Sequence, residues 1–152
     1  MFYKENILTV NKKIYHDYYI KCKYVAGIVL EGWEVKGIKN FKFQIINSYA
    51  IINKNEVFLL GMLVNELQNN KKRDSLRTKK LLLNKNEIKK IEMLKKKNKI
   101  SIVPLKCFIR NNIIKLEIAI VEGKKKSDKR NILKENDWKK KRQHLLKIKN
   151  RG

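Results

Sequence analysis

The 152-residue sequence predicts a mainly β fold, a small antiparallel barrel with two or three short helices and a basic C-terminal tail. Three observations carry that expectation. Apolar residues alternate with lysine at a period of two, asparagine-rich turns separate apolar stretches of strand length, and the charge density changes abruptly near Gly123.

The elements follow in order. Tyr18-Tyr19-Ile20-Lys21-Cys22-Lys23-Tyr24-Val25 alternates like a strand with one buried and one wet face. Gly27 marks a place for that strand to bend or bulge, and the apolar run continues through Ile28, Val29 and Leu30. Residues 34–39 suit a short helix with Lys36 and Lys39 three residues apart on one face. Residues 44–52 and 56–60 flank Asn53-Lys54-Asn55, and residues 100–109 and 113–121 flank Asn111-Asn112. Both read as hairpins, because asparagine tolerates the positive φ of a tight turn. Between them, Asn84-Lys85-Asn86-Glu87 has the form of a capping box, and Ile88, Ile91 and Leu94 give the ensuing helix an apolar face as far as about Asn98. The single proline, Pro104, points to a sheet edge or a bulge. An OB-like barrel fits this pattern and would offer a curved sheet face and loops to nucleic acid.

Charge narrows the function. The chain holds 38 Lys and Arg against 14 Asp and Glu, a net +24. Residues 1–122 contribute +14 and the 30 residues of 123–152 contribute +10, which divides a body (1–122) from a tail (123–152). Such an excess repels itself and suits a polyanion, nucleic acid first, since neutralised phosphates release counterions. A membrane surface would call for an amphipathic anchor or a lipidation motif, and neither is visible. No run approaches the roughly 20 apolar residues of a membrane span. Met1-Phe2-Tyr3-Lys4-Glu5-Asn6 lacks a signal-peptide layout, so a cytoplasmic protein with no membrane partner is expected. Cys22 and Cys107 have no metal-ligand spacing and read as thiols within strands. The histidines are His16 and His144, and no phosphate loop or nucleophile elbow is present. His16 and Asp17, as neighbours in a strand, would point to opposite faces. The expectation is a binding protein and not an enzyme, with no cofactor and no metal.

Arg77-Thr78-Lys79-Lys80 precedes the apolar run Leu81-Leu82-Leu83. It reads either as a phosphate-binding cluster or as a charged edge that keeps a strand from aggregating. The segment 123–130 is too polar for a core, and the basic tail 123–152 is expected to be disordered alone and helical against phosphate. Trp138 would stack on a base or dock on the body.

Ordered blocks of the sequence resemble the SsrA-binding protein (SmpB) family. They are Asn11-Lys12-Lys13 with His16-Asp17-Tyr18, Ala26-Gly27-Ile28 with Gly32-Trp33-Glu34-Val35-Lys36, Ser48-Tyr49-Ala50, Arg77 to Leu83, Asn84 to Ile88, Val103-Pro104-Leu105, and Gly123-Lys124-Lys125 with Asp128-Lys129-Arg130. The resemblance implies an OB-fold barrel bound to the tRNA-like domain of transfer-messenger RNA. It also implies a tail that enters the decoding centre and empty mRNA channel of a stalled ribosome, in a protein expected to act as a monomer. By that resemblance Asn11, His16, Tyr18 and Leu82 match RNA-binding or surface positions. Lys36, Lys39, Arg77, Lys79, Lys80, Lys115, Lys124 and Lys125 are expected phosphate contacts, and Asp128, Lys129 and Arg130 with Trp138 are expected to serve the decoding centre. The chain departs from the family at Val25, where a glutamate is usual, at Gly37-Ile38-Lys39, at Phe41 in place of glycine, at Glu122 and at Ser127.

Overall fold

The computed structural model describes residues 5–67 and 73–124. In chain order the elements are β1 (Glu5–Val10), α1 (Lys13–Asp17), β2 (Tyr18–Ile28), α2 (Gly32–Lys39), β3 (Phe43–Gln44), β4 (Tyr49–Asn53), β5 (Glu56–Leu60), β6 (Leu63–Val64), β7 (Lys79–Leu82), α3 (Lys85–Lys97), β8 (Ser101–Arg110) and β9 (Ile113–Gly123). The main sheet is antiparallel in the order β1-β8-β4-β5-β7-β2-β9, and β9 returns to β8 to close a ring. This is the mainly β, OB-like arrangement that the hairpin pattern predicts. The ring is irregular where β4 meets β8 at the single pair Ala50↔Ile102. Farther along the same edge of β8 lies β1, with Glu5 opposite Arg110.

Local chemistry accounts for the turns and caps. Lys54 and Asn55 (φ 50° and 62°) close β4 onto β5, and Asn111 and Asn112 (φ 51° and 63°) close β8 onto β9. Two successive left-handed residues are what a tight hairpin in a right-twisted ladder requires. The Asn84 N–H donates to Glu87 Oε1 at 3.0 Å, completing the capping box that starts α3. An unanticipated second box starts α2, where the Glu31 N–H donates to Glu34 Oε1 at 2.8 Å. Inside the ring, Val57, Leu59, Leu81, Leu116, Ile118 and Ile120 are buried together, and α3 adds Ile88 and Ile91. A smaller cluster, in which Ile14 packs with Val103, Leu105, Ala119 and Val121, seats α1 on β8 and β9.

Several expectations need correction. Gly27 does not bulge. It pairs in register with Leu82 on one side and Lys115 on the other, and the β2 irregularity lies between Ile20 and Cys22. Pro104, by contrast, meets the bulge expected of it, which lies between Pro104 and Lys106, in the gap between the stretches of β8 that pair with β4 and with β1. Residues 44–52 are not one strand. The chain turns at Asn47 (φ 68°), and Phe43–Gln44 pairs with β6 instead. His16 and Asp17 end a helix, where the His16 ring Nδ1 lies 2.8 Å from Asp17 Oδ1, so they do meet. Cys22 and Cys107 are free thiols in strands; burial pushes the Cys107 thiol up to about 12. Pairing of β9 runs to Gly123, and the Lys124 N–H donates to Asp17 O at 3.0 Å. Lys125, Ser127, Asp128, Lys129, Arg130 and Trp138 lie outside the described residues.

Candidate nucleic-acid interface

Strand register brings part of the expected site together. Leu82, Gly27 and Lys115 stand side by side across β7, β2 and β9, and the next residue in that row, on β8, is Phe108. Directly paired residues share a face, so this row lies on the outer side of the ring, open to solvent at Leu82 and covered at Phe108. Leu82 is 52% exposed. A Cβ on Gly27 would stand 3.3 Å from Leu82 Cβ, so the bare glycine lets the leucine lie close over β2. Lys80, two residues before Leu82 and therefore on the same face, pairs with Glu56 at 3.2 Å. Val25 is also exposed there, opposite Glu117, whose carboxylate is held by Lys106 at 3.6 Å and Lys23 at 3.9 Å. Lys106 and Arg110 each lie 5.2 Å from the ring centre of buried Phe108, which fixes two cations beside the row.

A second group gathers around α1. Asn11 is buried, its backbone N–H donating to Leu105 O at 2.6 Å and its Nδ2 to Pro104 O at 3.4 Å. Its Oδ1 has no hydrogen-bond partner among the described residues. Asn11, Tyr18, Ser48 and Tyr49 line a cleft of about 440 Å³, with Lys13 and Lys95 at its margins. His16 is exposed at the end of α1. Lys124 closes the group: its Nζ donates to Tyr15 O at 3.2 Å and lies 5.1 Å from the centre of the Tyr19 ring.

Two residues expected on phosphate are committed elsewhere. Lys79 is fully buried on the inner side of β7; its Nζ donates to Arg77 O at 2.7 Å and Met62 O at 3.4 Å, and it stands 3.2 Å from Glu34 Oε2. Sequence alternation could not reveal this, because the carboxylate that compensates it lies on α2. Burial holds the Lys79 ammonium below the usual lysine value in spite of Glu34. Arg77 is half-buried and donates to Glu34 Oε1 through Nη2 at 2.5 Å and Nε at 3.2 Å, and to Val29 O at 3.3 Å. Burial alone would raise the Glu34 carboxyl, yet hydrogen bonds from Arg77 and the Glu31 N–H, with the Lys79 charge, hold it below its ordinary 4.5. Arg77 and Lys79 therefore tie β7 to α2 and position Lys80 and Leu82. Lys79 is thus out of reach of a phosphate, contrary to the expectation from its sequence neighbourhood.

Lys36 and Lys39 are exposed on α2, away from the Glu34 side chain that the helix buries. One basic surface was missed. Helix α3 exposes Lys89, Lys90, Lys96 and Lys97 on the faces turned away from its buried Ile88 and Ile91, with Lys85 exposed in its first turn and Lys95 exposed at the end of the Ile88–Ile91 stripe. Projecting residues 85–97 on a helical period would have shown it. Among the described residues, no three His, Cys, Asp or Glu side chains gather to hold a metal ion, and no helix is long and apolar enough to cross a membrane.

Comparison with known proteins decides the family. The family model described as SmpB protein matches residues 8–148. The chain belongs to the SmpB family. It is 42% identical to the SsrA-binding protein of Ruthia magnifica over 96% of this chain and 90% of that protein. It is 40% identical to the SsrA-binding protein of Psychrobacter cryohalolentis over 94% of this chain and 92% of that one. Among solved structures it resembles a chain described as "tmRNA-SmpB: a journey to the center of the bacterial ribosome". The TM-score is 0.65 at 29% identity, over 79% of this chain and 85% of that chain.

Proposed function

We propose that this protein binds the tRNA-like domain of transfer-messenger RNA (SsrA) and delivers it to stalled ribosomes for trans-translation, as a binding protein and not as a catalyst. The observation that carries this reading is the SmpB family match across residues 8–148. The surface described above supports it: Leu82, Lys80 and Lys115 on the sheet, Asn11, His16 and Tyr18 at the α1 cleft, and Lys36 and Lys39 on α2 hold the RNA. Cations supply salt-dependent affinity, while the apolar Leu82 and the open Asn11 acceptor read shape and hydroxyl groups. Lys124 and Lys125 add phosphate contacts where the tail leaves the body, and within residues 123–152 Asp128, Lys129, Arg130 and Trp138 serve the decoding centre and the empty mRNA channel after the body has bound the RNA. The protein works in the cytoplasm as a monomer.

The test is a titration of the full chain against the tRNA-like domain, an ordinary tRNA and a size-matched single strand at two salt concentrations. A preference for the tRNA-like domain that survives higher salt is expected. Equal binding to all three, lost together as salt rises, would refute it. Deleting residues 125–152 is expected to leave most of that affinity and abolish tagging; loss of both would refute the division of labour between body and tail.

A further inference from the structure

The loop that closes α2 carries an aromatic side chain where the backbone favours glycine. Asn40 caps the helix, and Phe41 follows with φ 60°. The Phe41 N–H donates to Ile38 O at 3.1 Å and the Lys42 N–H to Gly37 O at 2.8 Å. This pair of bonds is the Schellman closure, whose left-handed residue is usually glycine because a Cβ there crowds the neighbouring carbonyl. Burial does not offset that strain. Phe41 is 66% exposed, more than any other large apolar side chain among the described residues.

The strained loop is also rigidly held. Asn40 Nδ2 donates to Lys36 O at 2.8 Å, and the Asn65 N–H donates to Lys42 O at 2.8 Å. Lys36, Lys39 and Lys42, all within five residues of Phe41 in sequence, are exposed as well. An unburied ring on a fixed, unfavourable backbone among three cations disfavours the free fold and favours a ligand with a flat π face and negative charge beside it. An unpaired RNA base between its phosphates has that chemistry.

We propose that Phe41 is a stacking platform for an unpaired RNA base whose flanking phosphates lie on Lys36, Lys39 and Lys42. The inference rests on the RNA-binding reading above and adds a contact to it. The base could belong to transfer-messenger RNA or to ribosomal RNA, and the experiment separates these sources.

Full-length wild type, Phe41→Gly, Phe41→Leu and Phe41→Trp are compared by thermal unfolding and by titration against the tRNA-like domain, a single-stranded RNA and stalled ribosomes. Phe41→Gly relieves the left-handed strain, so its Tm is expected to rise by about 2 °C or more. Its affinity is nevertheless expected to fall about tenfold, within the range measured for one base stacked on an aromatic ring. Phe41→Leu should lose similar affinity and Phe41→Trp should keep it. A loss on the tRNA-like domain assigns the base to that RNA; a loss on ribosomes alone assigns it to ribosomal RNA. Unchanged affinity of Phe41→Gly for every probe, or full affinity of Phe41→Leu, would overturn the proposal. If wild type shows no preference for the tRNA-like domain, the transfer-messenger reading fails, while the ratio of Phe41→Gly to wild type on any RNA still tests the platform.

Discussion

At Glu34 one carboxylate answers two cations, Lys79 at the start of β7 and Arg77 just before it, some forty residues away in sequence, and little of its charge reaches solvent. Removing one partner of such a buried group leaves the others uncompensated, typically at about 3–5 kcal/mol. Glu34→Gln is therefore expected to lower the unfolding free energy by that order in denaturant titrations, with Lys79 left charged and unpaired. The acid side follows from the depressed carboxyl. Its contribution is present above the ordinary 4.5 and is lost as pH falls through the lower folded value, so wild type should lose stability across that window and Glu34→Gln should lose less. An equal acid slope in both proteins would show that Glu34 is not the group responsible. Lys115 belongs to the opposite case, a surface cation on the Leu82 row. Lys115→Ala should barely move Tm, weaken binding to the tRNA-like domain and reduce the slope of log affinity against log salt by about 0.7–0.9 for one lost phosphate. An unchanged slope would remove Lys115 from the interface.

Helix α2 is seated by a close approach that only glycine allows. A Cβ on Gly37 would lie 2.6 Å from Asn65 O and 2.9 Å from Val64 Cγ1, and the first of these is backbone that cannot swing aside. Gly37→Ala should destabilise by about 1–3 kcal/mol, the usual range for overpacking, and should displace the Glu34 and Lys36 side chains together. A neutral effect in thermal unfolding would mean that α2 can slide. Elements like this divide what the sequence reveals from what it conceals. The alternation of Tyr18 to Val25, the asparagine turns and the Asn84–Glu87 cap are all local signals, and each was readable. Strand β1 escaped because Ile7 and Val10 stay exposed and its partner lies about a hundred residues ahead. The two-residue strands β3 and β6 are too short to show a period. Lys79 looked like its neighbour Lys80 because the two differ only in which side of the sheet they face. The site was legible where it is a strand face or a motif and illegible where distant residues neutralise each other.

For the whole molecule the governing quantity is the +24 charge. Ion pairs such as Lys80–Glu56 and Lys21–Glu122 spend the few acids locally, so most of the repulsion is left to solvent and to a bound polyanion. Raising salt from about 50 mM to 500 mM shortens the screening length from roughly 14 Å to 4 Å, and the Tm of the RNA-free protein should rise accordingly. A Tm that falls or stays flat would mean that the cations do not oppose folding. The ring has one more consequence, in time. Strand β8 collects β1, which ends at Val10, and β9, which ends at Gly123, and β9 also closes the far edge of β2. Pairings this distant in sequence make a slow-folding topology. During synthesis β1 must wait unpaired until residues 101–110 have left the exit tunnel, and the far edge of β2 until residues 115–123 have followed, so the ring cannot close before β9 has been made.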